Sequence, residues 1–291
     1  MSDALVAAVV AAGGLYHAAV APMEFDLGGG VVLRGLGTAA ALPSGTAVLR
    51  VPLNACLSSA DSLAVGGDLQ LALEAACAAE GVPQAQKHFL EMALLLLSPR
   101  GEALHGGAYR RTLPDGVEHQ GSVPFAFTDD ALDALQSDAL CALVRQRRRW
   151  MRAVLARLPD VPPPPTEERL AWALFVVRSR LFNVHLAPPP AARDAVGDAA
   201  RGAYNAWCKG DVRVLAPLLD MMNHAFPPGA NTVRTYDGGA NAFVVTTTCD
   251  VAAGEQLCVD YSAGRKAPLP NDRLLLSYGF VLAENRDDEL L

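Results

Sequence analysis

The sequence predicts an α+β fold, a β-structure of short strands split by a helical insertion. Three observations predict it. Residues 31–53 are β-rich and broken by turns. From Asp61 to Leu158 the chain is rich in Ala and Leu, with long stretches free of helix breakers. From Val212 onward apolar residues again occur in short strand-like runs. This β, α, β order divides the chain into residues 1–60, a helical insertion at 61–165, and residues 166–291. No internal repeat is visible.

The elements follow in order. Leu5–Gly14 is apolar and Ala-rich, preceded only by Asp3 with no basic residue. It therefore lacks the charged start of a signal peptide and is expected to be a short packed helix. Val31-Val32-Leu33 and Ala47-Val48-Leu49-Arg50-Val51 are strands, with a turn at Leu42-Pro43-Ser44-Gly45 between them. Asp61–Glu80, Gln84–Leu97 and Thr128–Leu158 are helical, the last capped by Thr128 or Asp129. Pro162–Pro165 ends that run, because proline lacks the amide donor and clashes with the preceding turn. Thr166-Glu167-Glu168 opens the next helix with a hydroxyl cap and two carboxylates facing the positive end of the helix dipole. It extends through Leu170–Phe182, and Ala187–Gly202 is a surface connection. Ala242–Thr248 is a strand, Ala253-Gly254-Glu255 a turn, and Gln256–Asp260 a strand ending at Tyr261.

Composition narrows the function. The chain has 291 residues, 51% hydrophobic and 19% charged, as a folded globular protein does. A net charge of -7 argues against a nucleic-acid-binding surface. Arg145–Arg152 holds five arginines in eight residues and is expected to be a solvated helix face. The six cysteines include no Cys-x-x-Cys pair, so neither a zinc site nor a disulfide framework is expected. No metal is expected. A reducing intracellular compartment follows; cytoplasm, nucleus and chloroplast are not distinguished. No apolar run reaches the ~18 residues that span a bilayer, so no membrane partner is expected.

Gly35-Leu36-Gly37-Thr38-Ala39-Ala40 fits the Gly-x-Gly-x-x-Ala dinucleotide fingerprint. That fingerprint needs a helix to follow. Here Pro43-Ser44-Gly45 and a strand follow instead, so the reading fails.

The most informative stretch is Leu218-Leu219-Asp220-Met221-Met222-Asn223-His224, with Tyr261 and Leu276-Ser277-Tyr278-Gly279-Phe280-Val281 downstream. An Asn-His pair followed by two tyrosines resembles the SET-domain methyltransferases. The likeness is to the branch of the plant Rubisco large-subunit lysine methyltransferase and its histidine-methylating relatives. Arg34-Gly35-Leu36-Gly37 and Arg178-Ser179-Arg180-Leu181-Phe182 extend it.

The resemblance implies a SET fold split by a helical insert, with a C-terminal segment threaded beneath a loop. It implies S-adenosylmethionine as cofactor, held by Arg34, Gly35, Leu36, Arg180, Asn223, His224 and Phe280. Tyr261 and Tyr278 are implied as catalytic, and Asp220 and Tyr236 as substrate-binding. Asp220 could equally brace its turn, and Arg180 could simply favour its helix end. Where the family is often basic, this chain has Val184. Its link from Ser262 to Asp272 is longer than usual. Relatives carry a further helical docking domain after Tyr-Gly-Phe, and this chain stops at Leu291. The implied reaction is methyl transfer to a protein lysine. Histidine methylation and a catalytically silent module that binds a protein partner are the alternatives. A monomer acting on a protein substrate is expected.

Overall fold

The structure, a computed structural model, describes residues 3–26, 30, 32–61, 67–114, 123–158, 165–185, 211–264 and 268–288. The expected proline stop at 162–164, the connection at 187–202 and residues 265–267 of the long link lie outside them. The chain forms two compact units. The first holds Met1–Leu57, His105–Thr112 and Leu215–Pro268. The second holds Ser58–Leu104, Leu113–Val214 and Leu269–Leu291.

The first unit is built on β-structure. Helix α1 (Asp3–Ala11) precedes β1 (Leu15–Tyr16), β2 (Val20–Asp26), β3 (Val32–Thr38) and β4 (Ala47–Pro52). Further on come β8 (Asn223–His224), β9 (Thr232–Asp237), β10 (Ala242–Thr247) and β11 (Cys258–Val259). Six of these form one sheet, in the order β1-β4-β10-β9-β11-β8. The pairs β4–β10 and β10–β9 are antiparallel, whereas β11 runs parallel to both β8 and β9. Strand β11 therefore lies between two strands that precede it in sequence. Just upstream the same segment reaches β3: Leu257 N–H donates to Leu36 O at 2.8 Å, and Thr38 N–H to Glu255 O at 3.1 Å. Leu36, Val48, Leu49, Val51, Val245 and Leu257 are fully buried and form the core of this unit.

Strand β2 pairs antiparallel with β3 and is not legible in the sequence. Pro22 sits inside it, and a proline cannot donate to a ladder, so the run reads poorly as a strand. No helix follows β3, as the rejected dinucleotide motif would have required. The Ser44-Gly45 turn is real, with Gly45 at φ 82°, a left-handed conformation that suits glycine.

The second unit is mostly helical. It contains α2 (Gly67–Ala79), α3 (Gln84–Leu97), α4 (Pro99–Glu102), α5 (Asp129–Asp133), α6 (Asp138–Leu155), α7 (Glu167–Arg180) and α8 (Asn271–Tyr278). A three-stranded sheet in the order β5 (Leu57–Ser58), β7 (Asp211–Leu215), β6 (Leu181–His185) completes it. Thr166 caps α7 as expected, its hydroxyl accepting from Arg169 N–H at 3.2 Å. Acidic Glu167 and Glu168 begin that helix, and Arg178 and Arg180 end it. A satellite core gathers Leu132, Leu140, Cys141, Val144 and Leu276.

Three expectations need correction here. The helix expected at Thr128–Leu158 is two helices. Gln136 takes φ 53°, and Ser137 starts afresh by accepting from Leu140 N–H. A serine followed by an acid is a new N-cap, and it outweighs the helical propensity around it. The helix expected to run through Phe182 ends at Arg180, and β6 begins at Leu181. The arginine cluster is only partly a solvated face. Arg148 donates to the carbonyls of Pro124, Phe125 and Phe127, and Arg147 lines a pocket.

Candidate functional site

Seven of the residues singled out from the sequence belong to one cluster in the first unit. Arg34, Gly35 and Leu36 lie on β3. Asp220 lies on a single 3-10 turn (Leu219–Met221), and Asn223 and His224 form β8 directly after it. Tyr261 lies two residues past β11, in a turn, not at a strand end as expected. Because β11 pairs with β8 in parallel (Cys258 opposite Asn223, Val259 opposite His224), Tyr261 returns alongside His224.

Asn223 is the hinge of the arrangement. Its Nδ2 donates to Arg34 O at 3.0 Å, which joins β8 to β3. A donor toward that carbonyl fixes which end of the amide is nitrogen, so Oδ1 is left as the acceptor. Gly35 lies in the space beside it. A Cβ at Gly35 would come 2.5 Å from Asn223 Nδ2 and 2.5 Å from Gln256 Nε2. Only glycine leaves this backbone open. Arg34 is exposed, and its Nη2 donates to Thr112 O at 2.9 Å.

His224 positions Tyr261. Its Nδ1 lies 3.0 Å from the Tyr261 amide and 3.4 Å from Val259 O. An amide N–H can only donate, so Nδ1 accepts, and the neutral ring carries its proton on Nε2. The approach to Val259 O is then a contact, not a hydrogen bond. The imidazole also packs on the Tyr261 ring at 5.0 Å and edge-on to Phe226 at 4.5 Å. The Tyr261 hydroxyl donates to Met222 O at 2.7 Å. Its proton is thereby committed to the main chain, and its oxygen lone pairs remain as acceptors.

Asp220 is buried, and its Oδ2 accepts from the Tyr109 hydroxyl at 2.8 Å. Tyr109 is fully buried. This contact braces the turn, one of the two roles the sequence leaves open. Leu218, just before it, takes φ 70°, which a leucine rarely adopts, so the turn needs such support. Tyr109→Phe removes a charge-assisted donor to a buried carboxylate. It is expected to cost about 1–3 kcal/mol, seen as a melting temperature lower by several degrees in a thermal scan. An unchanged melt would mean the pair contributes nothing to stability.

Tyr236 does not join the cluster. It lies four residues along β9 from Thr232, the residue that pairs with Val259, so about 13 Å of strand intervenes. Its hydroxyl donates to Asn241 Oδ1 in its own hairpin, and its ring packs on Phe243 at 5.2 Å. Burial raises its pKa. These contacts within the hairpin hold the side chain away from the site. Arg180, Tyr278 and Phe280 belong to the second unit. Arg180 ends α7. Tyr278 ends α8, where Gly279 takes φ 82° and turns the chain so that Phe280 sits 6.1 Å from the Tyr278 ring.

Sequence reasoning misses Gln256 and Tyr109. Gln256 reads only as part of a strand, although it follows the turn at Gly254 and bridges to Gly37. Tyr109 lies outside any periodic segment and gives no signal. Among the described residues no group of His, Cys, Asp or Glu is arranged to hold a metal ion.

Residues 34–262 match the SET domain. The chain belongs to the SET-domain family. Solved structures agree on the fold of this SET domain. The structure of Rubisco LSMT bound to AdoMet is 18% identical, with a TM-score of 0.62, and the alignment covers 98% of this chain and 57% of that one. The SET domain of LSMT bound to lysine and AdoHcy is 16% identical, with a TM-score of 0.60, covering 96% and 57%. LSMT bound to sinefungin and monomethyllysine gives 18%, 0.62, 98% and 57%. The chain thus spans a little over half the length of these relatives. At such identities the likeness speaks for the fold alone. No curated protein matches the chain.

Proposed function

We propose that this SET domain is an S-adenosylmethionine-dependent protein methyltransferase acting on a lysine side chain. The observation that carries the reading is the cluster of Gly35, Asn223, His224 and Tyr261 in one unit. The LSMT structures that share the fold are bound to AdoMet or its analogues and to lysine or methyllysine, which supports it.

The residues present fit the cofactor. The cradle at Gly35 admits a ligand against main-chain atoms. The nearby Gln256 Nε2 is a buried donor with no protein acceptor among the described residues. Such a donor is costly unless a ligand supplies the acceptor. Asn223 Oδ1 would take the ammonium of the amino-acid end, and the Arg34–Leu36 main chain and His224 would frame the rest. Arg180 and Phe280, which belong to the other unit, keep the cofactor role only as the sequence resemblance implies it. When bound, S-adenosylmethionine supplies a sulfonium-activated methyl group.

The chain's own task is the nucleophile. A lysine ammonium, whose ordinary pKa is about 10.4, must lose a proton before it can attack. Withdrawal from water into the channel favours the neutral amine. Tyr261, its hydroxyl proton held by Met222 O, offers an oxygen acceptor that aims the amine without adding charge. Tyr278 keeps its catalytic role only as the sequence resemblance implies it. Asp220 is kept as a brace, not as a substrate contact. No disulfide links the described cysteines, and a reducing compartment remains part of the proposal. No described helix is long and apolar enough to cross a membrane.

Titration calorimetry with S-adenosylmethionine tests the reading directly. Asn223→Ala is expected to weaken binding by roughly 1–3 kcal/mol, about ten- to a hundredfold, with a chelator making no difference. Binding that is absent at millimolar cofactor, or lost on chelation, would overturn the assignment. Mass spectrometry of extract proteins incubated with the enzyme then reads the methylated residue. A methylated histidine in place of lysine would correct the acceptor and leave the cofactor site standing.

A further inference from the structure

The second unit carries a pocket that the proposed chemistry does not use. It is lined by Val82, by Gln86 and Leu90 of α3, by Phe125, by Arg147, Trp150 and Met151 of α6, and by Leu174 and Arg178 of α7. It comprises about 250 Å3 of empty space, open solvent included, with room between the side chains as they stand for about one water-sized group.

Two guanidiniums line it, and no acidic residue does. Arg178 Nη2 donates to Gln86 Oε1 at 2.5 Å, and its guanidinium lies over the Phe89 ring at 4.5 Å. The Nε atoms of both Arg147 and Arg178 are buried without an acceptor. Neither arginine has a carboxylate partner among the described residues. Three other arginines of the cluster differ: Arg145, Arg148 and Arg152 each have one, in Asp133, Asp129 and Glu167, and Arg149 is exposed to solvent.

Both arginines are half-buried, and even a partly desolvated charge without a counter-charge is costly, two of like sign more so. Burial and the neighbouring Arg147 bring the Arg178 pKa down to about 9. At neutral pH it is still charged. An apolar pair would pack here at lower cost, so the arrangement suits something that brings negative charge with it.

We propose that this pocket binds a small carboxylic acid, its carboxylate between Arg147 and Arg178 and its apolar end against Trp150 and Phe125. The fork of a guanidinium matches a carboxylate edge. The guanidiniums take the oxygens, and the aromatic side chains take a short hydrocarbon body. The proposal does not depend on the methyl-transfer reading.

The test is calorimetry and thermal melting with formate, propionate and propionamide, at an ionic strength held constant by a bulky sulfonate. Propionate is expected to bind one per chain and more tightly than formate, and to raise the melting temperature. Propionamide, equal in shape and uncharged, is expected to do neither. Arg147→Gln should weaken propionate at least tenfold. Arg149→Gln, the same charge change at an exposed position of α6, should leave binding as it was. Equal effects in the two variants, or equal effects of propionate and propionamide, would refute the site. So would an absence of saturable heat in the parent protein. Competition by S-adenosylmethionine would assign the carboxylate contact to the cofactor and overturn a separate site. If Arg147→Gln failed to fold, Trp150→Ala would serve. It should bring propionate down toward formate while leaving formate itself, and an unchanged preference would count against the pose.

Discussion

Tyr261→Phe is expected to keep S-adenosylmethionine affinity and lose turnover by on the order of 10²–10³, the range for removing one oriented polar group that acts in a transition state. The substitution keeps the ring, and with it the packing on His224 at 5.0 Å. The Tyr261 amide still donates to His224 Nδ1, because that contact is made by main chain. What is lost is the hydroxyl: its bond to Met222 O and its acceptor lone pairs. Met222 is buried, so leaving its carbonyl without this donor costs stability by about 1–3 kcal/mol. Losing the acceptor leaves the target amine without one of the groups that aim it. Single-turnover methylation, measured beside calorimetry of cofactor binding, separates the two. Unchanged affinity with a large rate loss supports the assigned role. A near-normal rate would remove Tyr261 from the mechanism. Parallel loss of rate and affinity would trace to a misplaced turn.

The cluster is legible in the sequence to the extent that its signals are local. Asn223-His224 and Tyr261 stand out because each sits in a recognisable order of residues. Their meeting depends on β11 pairing in parallel with β8, a long-range register that composition cannot reveal. Tyr236 misleads for the same reason. A tyrosine on a strand reads as part of the site, but the four residues between it and Thr232 carry it away, and a local bond to Asn241 holds its hydroxyl. Tyr109 is invisible because its partner is 111 residues distant and the segment around it has no periodicity. The helices are legible where a cap or a breaker marks the start, as with Thr166 and with Pro83 before Gln84–Leu97. They mislead where a cap interrupts a run of good helix formers, as at Ser137. The arginine cluster shows the limit of reading charge alone. Five arginines on one helix look alike in sequence, yet burial separates Arg147 from Arg149.

The second large effect is expected at Gly35, where substitution should harm binding far more than folding. An added Cβ meets Asn223 Nδ2 and Gln256 Nε2, each at 2.5 Å. Both are the ends of side-chain amides, which can turn aside. Overpacking a rigid site costs about 1–3 kcal/mol. Here the obstacles yield, and Gly→Ala in a compatible strand regains about 0.4–1 kcal/mol by restricting the unfolded chain. The net destabilisation should be about 1 kcal/mol, too little to unfold the domain. The binding surface has no such escape. Turning Asn223 aside breaks its bond to Arg34 O and misdirects Oδ1, and the new methyl fills the space beside the main chain. Cofactor affinity is expected to fall by about a hundredfold or more, some 2.7 kcal/mol. Gly37→Ala is the contrasting variant. Its Cβ would meet Met23 Sδ at 2.7 Å, the Phe25 ring at 2.8 Å and the Glu255 carbonyl at 3.0 Å. A ring and a backbone carbonyl cannot move so cheaply, and none of the three belongs to the cluster. Gly37→Ala should therefore lower the melting temperature more than Gly35→Ala, and lose less affinity once folded. Melting curves and calorimetry on the two proteins decide it. A Gly35→Ala protein that binds S-adenosylmethionine normally would show that β3 does not border the cofactor, and would move the proposed site elsewhere in the domain.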